Sequence, residues 1–335
     1  MRNTYTLRRW AWVCLIVIPA LGGGEAPTAS ARDIYVNNRT GDDHFLGRQP
    51  TDGTGYAGPV RTIEKALSLA QSGDRIVIAA TGVPYRESLT LATARLSGNA
   101  VREFVIEGNG AVLDGTVAVP RDAWELYTPA WRGEQKVVFR CWPPLKGTQI
   151  LYIDEKPGLR VPADSAAERP PVLEPMQWCY HRGALYVGLP ENARPEQYDL
   201  RYAGMRTGLT LHHVSKVVIR DLVVQGFQTD GIAVANSVKE LRLERVVCRG
   251  NGRAGISVGA ASRVEIVDSL LGDNGEAQLI THPTSTTVVR NTQIIGNTAP
   301  AVVRKGGTLQ IDGQPVESLE IADVEPPSEN TTNQQ

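Results

Sequence analysis

A repeat of 23 to 24 residues between residues 214 and 307 constrains the fold more than any other feature of the sequence. Within each unit, apolar and polar residues alternate, which is the period of a strand and not of a helix. Each unit then turns on Gly, Asn or Asp, as at Gly250-Asn251-Gly252. Two columns are apolar in every unit: Ile219, Leu243, Ile266 and Val289, and Ile232, Ile256, Leu279 and Val302.

A unit of this length is too small to bury its own apolar face, so the units must stack. Equivalent residues of successive units then lie roughly 4.8 Å apart, as neighbouring parallel strands do. A β-sandwich is the alternative, but it needs tight hairpin turns and has no fixed period. The predicted fold class is therefore all-β, a solenoid of parallel strands.

The repeated motif Gly-Ile-x-Val, followed by x-Val-x-Ile-x-Asp/Asn, resembles the right-handed parallel β-helix repeats of the pectate-lyase-like superfamily. Residues 34–38 and 58–79 are similar to the N-terminal entry of such secreted solenoids. There a short amphipathic helix, here residues 62–71, caps the open end of the core. The first coil strands are then expected at residues 75–80, 88–91 and 103–107.

The period is lost between residues 120 and 206, where Pro and Trp accumulate. This change predicts an inserted, aromatic-rich β subdomain with a hairpin that turns at Arg182-Gly183. The predicted organisation is a signal peptide at residues 1–31, the N-terminal cap and first coils at 32–119, and the inserted subdomain at 120–206. Further coils follow at 207–324, with closing strands at 308–312 and 318–322, and residues 325–335 are expected to be disordered.

The start of the chain is typical of a secretory signal peptide, with Arg2, Arg8 and Arg9, an apolar stretch at residues 11–21, and the small-residue site Ala29-Ser30-Ala31. The apolar stretch is shorter than the roughly 20 residues of a membrane-spanning helix. We expect a secreted or periplasmic, monomeric protein with no membrane partner after signal removal. The 35 Lys and Arg nearly balance 36 Asp and Glu, which does not favour a nucleic-acid partner.

Cys141, Cys179 and Cys248 are the cysteines that remain after residue 31, and none has the spacing of a zinc ligand. In an oxidising compartment, Cys141 and Cys179 would either form a disulfide or remain as two buried thiols. No metal site and no cofactor are predicted from the sequence. Calcium is expected only if the protein is a polysaccharide lyase.

The segment that contains Asp230, Gln-Thr-Asp-Gly, resembles the Asn-Thr-Asp-Gly segment of polygalacturonases, in which the Asp is catalytic. In that family the next coil supplies an Asp pair, where this chain has Arg253-Ala254. A later coil supplies Gly-His-Gly, where this chain has Glu276-Ala277-Gln278. These departures argue against polygalacturonase activity.

Asp230, Arg253 and Glu276 nevertheless form one row of turn residues on consecutive coils, and they are the candidate catalytic residues. Two coil steps would separate the carboxylates by roughly 10 Å, close to the roughly 6.5 to 9.5 Å of inverting glycosidases. In a lyase, Arg253 would instead be the base beside the two carboxylates. The alternative is a row of solvated turn residues with no chemical role. A separate stack, formed by Asp221, Arg245, Asp268 and Asn291, is interpreted as structural.

Two further groups are candidates for substrate binding. His282 and Lys305 project from the outer side of the Gly-Ile-x-Val strands and would bind a uronate, although the extended chain places His282 about 20 Å from Glu276. Trp142, Trp178, Tyr180 and His181 would form a sugar-stacking wall, or else the small core of the insertion.

The resemblance implies a protein that acts on polysaccharide, as a glycoside hydrolase or a polysaccharide lyase. A non-catalytic module that binds glycan or builds surface structure is the alternative, because several expected catalytic groups are missing. A metal-delivery accessory is disfavoured, since Met176 and Met205 are the only Met after residue 31.

Overall fold

The computed structural model describes residues 32–51, 55–127 and 137–316. The predicted signal peptide, the tail and the closing strand at 318–322 lie outside these residues. The N-terminal part of the described chain contains four strands and one α-helix: β1 (Asp33–Val36), α1 (Ile63–Leu69), β2 (Arg75–Ile78), β3 (Leu89–Leu91) and β4 (Phe104–Asp114), with a 3₁₀ turn at Ala94–Leu96.

The helix α1 forms where the sequence predicts it, although it is shorter. Thr62 precedes it in an extended conformation, and its side chain accepts a hydrogen bond from the Lys65 amide. The Glu87 carboxylate accepts two more, from the Ile63 and Glu64 amides at 2.9 and 2.8 Å. Ala70 is extended and ends the helix. The buried face of α1 packs into the same hydrophobic core as the first coil strands.

Residues 116–203 form two sheets beside the coils, antiparallel except for the pairing of Leu159–Arg160 with Gln177–Trp178. Their strands are β5 (Thr116–Ala118), β6 (Glu125–Tyr127), β7 (Val137–Cys141), β8 (Leu151–Ile153), β9 (Lys156–Pro157), β10 (Leu159–Arg160), β11 (Gln177–His181), β12 (Ala184–Leu189) and β13 (Leu200–Ala203), with 3₁₀ turns at Arg121–Ala123 and Pro195–Gln197. One sheet has the order β10-β11-β12-β7-β6 and the other β5-β13-β8-β9. The predicted hairpin is confirmed, because β11 pairs antiparallel with β12 across Arg182-Gly183.

The chain then returns to coils. Their strands are β14 (Leu209–Leu211), β15 (Ser215–Gln225), β16 (Asp230–Val234), β17 (Lys239–Glu244), β18 (Val247–Arg249), β19 (Ala254–Val258), β20 (Arg263–Val267), β21 (Leu270–Gly272), β22 (Ala277–Thr281), β23 (Thr286–Arg290), β24 (Gln293–Ile294), β25 (Val302–Arg304), β26 (Thr308–Ile311) and β27 (Gln314–Pro315). β26 confirms the first predicted closing strand.

Two parallel sheets run the length of the solenoid. The first sheet has the order β1-β2-β4-β15-β17-β20-β23-β26, and the second has the order β3-β14-β16-β19-β22-β25. A third row, β18-β21-β24, continues from the second half of β15. Both predicted apolar columns are confirmed by register: Ile219–Leu243–Ile266–Val289 in the first sheet, and Ile232–Ile256–Leu279–Val302 in the second.

The turns between coils stack in register as well. Asn251 and Asn274 are fully buried inside two successive turns. The Asn251 side chain accepts from the Phe227 amide at 3.1 Å, and Asn274 accepts from the Asn251 amide at 3.0 Å. Asn274 donates in turn to the Gln278 side chain at 2.7 Å. These contacts hold the turns that precede β16, β19 and β22 at fixed positions.

The stack of Asp221, Arg245, Asp268 and Asn291 is a ladder, as interpreted from the sequence. All four residues have φ between 44° and 54°, so each occupies the left-handed turn region. Arg245 donates to both Asp221 carboxylate oxygens at 2.7 and 2.6 Å, and Asn291 donates to Asp268 at 2.5 Å. Each pair joins neighbouring coils.

Cys141 and Cys179 do not form a disulfide; they and Cys248 are buried free thiols. β12 lies between their strands, and they pack in different hydrophobic clusters on opposite sides of the sheet. Burial raises the pKa of Cys141 and of Cys179 to about 12. No helix within the described ranges is long and apolar enough to cross a membrane.

Candidate functional site

The candidate site lies on the outer face of the second sheet. Register places Thr210, Ala233, Ser257, Ile280 and Val303 in one outward column. A second column follows at the strand ends, where backbone hydrogen bonds link successive coils. Its members are His212, Ala235, Gly259, His282 and Lys305.

The second column has small residues in its middle and larger ones at its ends. A Cβ atom at Gly259 would lie 1.9 Å from the Ala235 carbonyl oxygen, so only Gly fits there. His212 and His282 are three coil steps apart, or roughly 14 Å. We call this second column the trough: Ala235 and Gly259 form its middle, and His212 and His282 lie on either side of them. His212 was not identified from the sequence, although its place in the column could have been extrapolated from the period.

Asp230, at the start of β16, is held by a dense set of contacts. Arg253, one coil on, donates to its Oδ1 atom at 2.8 Å through Nε and also binds Oδ2 through Nη2. The Ser257 hydroxyl donates to Oδ2 at 2.7 Å. The Asp230 side chain is 1 % exposed, whereas Arg253 is 35 % exposed. The ion pair therefore presents the guanidinium, and not the carboxylate, to solvent.

Glu276 completes the predicted row one coil further, and it is exposed. Its amide donates to the Arg253 carbonyl at 2.8 Å, so the two turns stack directly. The hydrogen bonds to Asp230 raise the pKa of Arg253, and the negative charges of Asp230 and Glu276 raise it further. The structure thus brings together all three residues of the predicted row, with Arg253 in the middle.

Arg160 of the insertion reaches the same row, and sequence reasoning missed it. Its Nη1 atom donates to the Gly275 carbonyl at 3.4 Å, and its Cζ atom lies 5.7 Å from the centroid of the Trp178 ring. Burial lowers the pKa of Arg160, and the nearby charge of Glu276 opposes that shift. Glu276 therefore lies between two guanidinium groups.

The insertion packs on the turns beside the row. The Thr148 hydroxyl donates to the backbone carbonyl of Gln228 at 2.9 Å. The side-chain amide of Gln228 donates to the Lys146 carbonyl at 2.7 Å. Gln228 is two residues before Asp230. The row thus borders the insertion at the start of β16, β19 and β22, and the trough lies at the other end of these strands.

His282 follows the end of β22 whereas Glu276 precedes its start, so the two residues lie at opposite ends of one strand. Burial lowers the pKa of His282, and the positive charges of Lys305 and Arg253 lower it further, while Asp230 opposes them. His282 and Lys305 face each other across neighbouring coils. Because the coils stack, these three basic side chains share one face of the solenoid.

Two of the four residues of the candidate aromatic wall lie instead in the core of the insertion, which was the alternative expectation. Trp178 is fully buried, and its indole nitrogen donates to the Gly158 carbonyl at 2.8 Å. His181 is 3 % exposed. Both side chains belong to the interior of the insertion, because both faces of the β11–β12 hairpin are covered. Trp142 remains exposed, and Tyr180 is half-buried with its hydroxyl accepting from the Gly147 amide at 3.2 Å.

We predict that His181→Phe leaves the stability of the protein unchanged or raises it. Neither ring nitrogen of His181 has a hydrogen-bond partner among the residues that the structure describes, and an unsatisfied buried polar group costs about 1 to 3 kcal/mol. Phe removes those polar atoms and keeps most of the volume. Urea unfolding would measure the change, with His181→Ala as the control that leaves a cavity and lowers stability. A loss of stability with Phe as large as with Ala would contradict the prediction.

Within the described residues, no group of three or more His, Cys, Asp and Glu side chains is arranged to hold a metal ion. The calcium that a lyase reading would require has no ligand cluster at Asp230 and Glu276 among them. The side chains available at the row and trough are guanidinium, ammonium, imidazole and hydroxyl groups and the exposed Glu276 carboxylate.

Comparison with known proteins supports the fold. The family model described as the right handed beta helix region matches residues 202–317. The search of curated proteins found no match. A structure of XylC in complex with xylose aligns at 11 % identity with a TM-score of 0.41, over 84 % of this chain and 70 % of that one. The pectate lyase Pel9A aligns at 10 % identity with a TM-score of 0.38, over 78 % of this chain and 54 % of that one. At these TM-scores the two likenesses carry no information about chemistry.

Proposed function

We propose that this right-handed parallel β-helix protein binds an acidic polysaccharide along the row and trough, outside the cytoplasm. The observation that carries the proposal is the fixed position of Arg253, whose guanidinium is held by a buried carboxylate and remains open to solvent. His282 and Lys305 lie on the same face. A planar guanidinium suits a carboxylate, which it binds through two parallel hydrogen bonds.

The same geometry disfavours a hydrolase at this row. A general acid needs an accessible proton, but Asp230 is buried against Arg253 and Ser257. Arg253 is a poor base, because Asp230 raises its pKa above the already high value of a guanidinium. Glu276 alone is an accessible carboxylate there, and hydrolysis normally uses two. These contacts favour recognition over acid and base catalysis by the three predicted residues.

One observation favours a second candidate function, β-elimination on a uronate. The lowered pKa of His282 leaves its imidazole neutral at neutral pH, as a proton acceptor must be. Arg253 and Lys305 would offset the uronate charge while His282 takes the proton from the carbon next to the carboxylate. The released electron pair would form a C=C bond as the glycosidic oxygen leaves, and that oxygen would take up a proton from solvent.

Polygalacturonate and its carboxyl-reduced derivative test the proposal, because they differ only in the charged group. We expect calorimetry to detect binding of the first, and Lys305→Ala to weaken it about tenfold. Lys239→Ala is the matched control, since Lys239 is exposed on the first sheet. Equal binding of both polymers by the wild type would refute the proposal. Growth of the ultraviolet absorbance of an unsaturated uronate, lost in His282→Gln, would establish elimination.

We also predict that affinity for polygalacturonate rises as the pH falls. His282 is neutral at neutral pH and gains a proton below the ordinary histidine pKa of about 6.5, while uronate carboxylates stay ionised. Lys305 and Arg253 repel that proton, and a bound carboxylate attracts it. Titrations across this range should show a several-fold gain in the wild type. A gain of the same size in His282→Gln would assign the effect to another group.

A further inference from the structure

A second cluster of aromatic and charged side chains lies on the insertion, centred on Arg140 in β7. Its Cζ atom is 4.8 Å from the Trp142 ring centroid and 5.4 Å from that of Tyr127. Tyr127 packs edge-on against Tyr186, with centroids 5.0 Å apart. Arg140 also donates to Glu125 at 3.2 Å. We call these five residues the Arg140 cluster.

Strand pairing explains why these side chains meet. Arg140 lies directly opposite Glu125 on β6 and opposite Tyr186 on β12. Trp142 is two residues further along the chain and Tyr127 two residues beyond Glu125, so alternation places them on the same face. On this face, the part of the sheet around Cys179 is covered by Leu173 and its neighbours. The edge formed by β6 and β7 is the more open part.

Exposure and charge indicate the kind of ligand. Trp142 is 48 % exposed, although a large aromatic surface is normally withdrawn from water. The Arg140 guanidinium is balanced by Glu125, so the cluster supplies hydrogen-bond donors and acceptors without an uncompensated charge. Aromatic rings suit the apolar faces of pyranose rings, whose hydroxyl groups need both donors and acceptors at the edge.

We propose that the Arg140 cluster is a second glycan-binding site, specific for neutral pyranose units. Trp142 stacks on the sugar ring, while Arg140 and Glu125 bind its hydroxyl groups. The inference deepens the proposed function by adding a neutral subsite to a charged one. It does not depend on the row and trough, because none of its residues belongs to them.

Neutral xylo-, gluco- and galacto-oligosaccharides provide the test, with the full-length protein and calorimetry as the readout. We expect at least one series to bind, and Trp142→Ala to weaken that binding about tenfold. Leu126→Ala is the matched control: Leu126 is an exposed apolar residue of the same edge strand, and its side chain points to the opposite face. It should change the affinity less than twofold, as should Lys305→Ala.

Failure to bind any of the three series would overturn the proposal, as would equal losses in Trp142→Ala and Leu126→Ala. Circular dichroism and urea unfolding of both variants would show that each remains folded. Displacement by an acidic oligosaccharide but not by its carboxyl-reduced form would also overturn it. The proposed function can fail or stand separately, since it is tested with polygalacturonate and Lys305→Ala.

Discussion

Replacing Ile256 by Asp is expected to prevent the protein from folding. Ile256 is fully buried, and it pairs with Ile232 in the preceding coil and Leu279 in the next. An unpaired carboxylate there would cost several kcal/mol, against a typical total stability of about 5 to 15 kcal/mol. The charge would also disturb two coil interfaces at once, because each coil is stabilised by both its neighbours. Soluble yield, circular dichroism and urea unfolding would measure the loss.

Thr90→Asp is the control for this variant. Thr90 belongs to the same sheet but points outward and is exposed, so its replacement should change the free energy of unfolding by no more than about 0.5 kcal/mol. If Ile256→Asp remained soluble and unfolded cooperatively at the urea midpoint of the wild type, the continuous core described above would be wrong.

Arg253→Ala should have the second largest effect. It would remove the ionic partner of the Asp230 carboxylate, which is 1 % exposed in the wild type. Removing one member of a buried ion pair costs about 3 to 5 kcal/mol, because the remaining charge is not compensated. We expect a loss near the lower end of that range, since Arg253 is partly solvated and Ser257 still binds Asp230. Urea unfolding would measure it, and binding of polygalacturonate would be lost as well.

Arg245→Ala provides a matched comparison for this loss. Arg245 also binds an Asp in the preceding coil through two hydrogen bonds, but that partner, Asp221, is 29 % exposed. Its removal should cost about 1 kcal/mol or less. The double variant Asp230→Ala/Arg253→Ala should recover part of the stability lost by Arg253→Ala, since no buried charge is left. Equal losses in Arg245→Ala and Arg253→Ala would disprove a special role for burial.

The repeat made the coils predictable in detail. Where Ile256 and its counterparts recur every 23 to 24 residues, the period determines register, and register determines which residues face outward. The insertion has no period, so its strand order could not be predicted. For the same reason, the sequence could not decide between a disulfide and two free thiols at Cys141 and Cys179. Only the strand order shows that β12 separates their strands.

The candidate site was predictable to the same extent. Asp230, Arg253 and Glu276 were found because they are one coil apart, whereas Arg160 reaches them from a segment without repeats. His282 and Glu276 lie at opposite ends of β22, which agrees with the separation predicted along the chain. For Trp178 and His181 the sequence left a sugar-stacking wall and the core of the insertion as alternatives. The pattern could not decide between them, because the hairpin is covered on both faces and alternation then distinguishes no side.

The pairing of β4 with β15 has a consequence for the order of folding. The chain leaves the solenoid after β4 and returns to the neighbouring position in the same sheet, so Glu107 and Arg220 meet although they are 113 residues apart. Neighbouring coils of the repeat between residues 214 and 307 close over 23 to 24 residues. The longer closure costs about 1.4 kcal/mol more in chain entropy. The coils after the insertion should therefore assemble first, as a template with an unpaired edge at β15, to which the N-terminal strands add last.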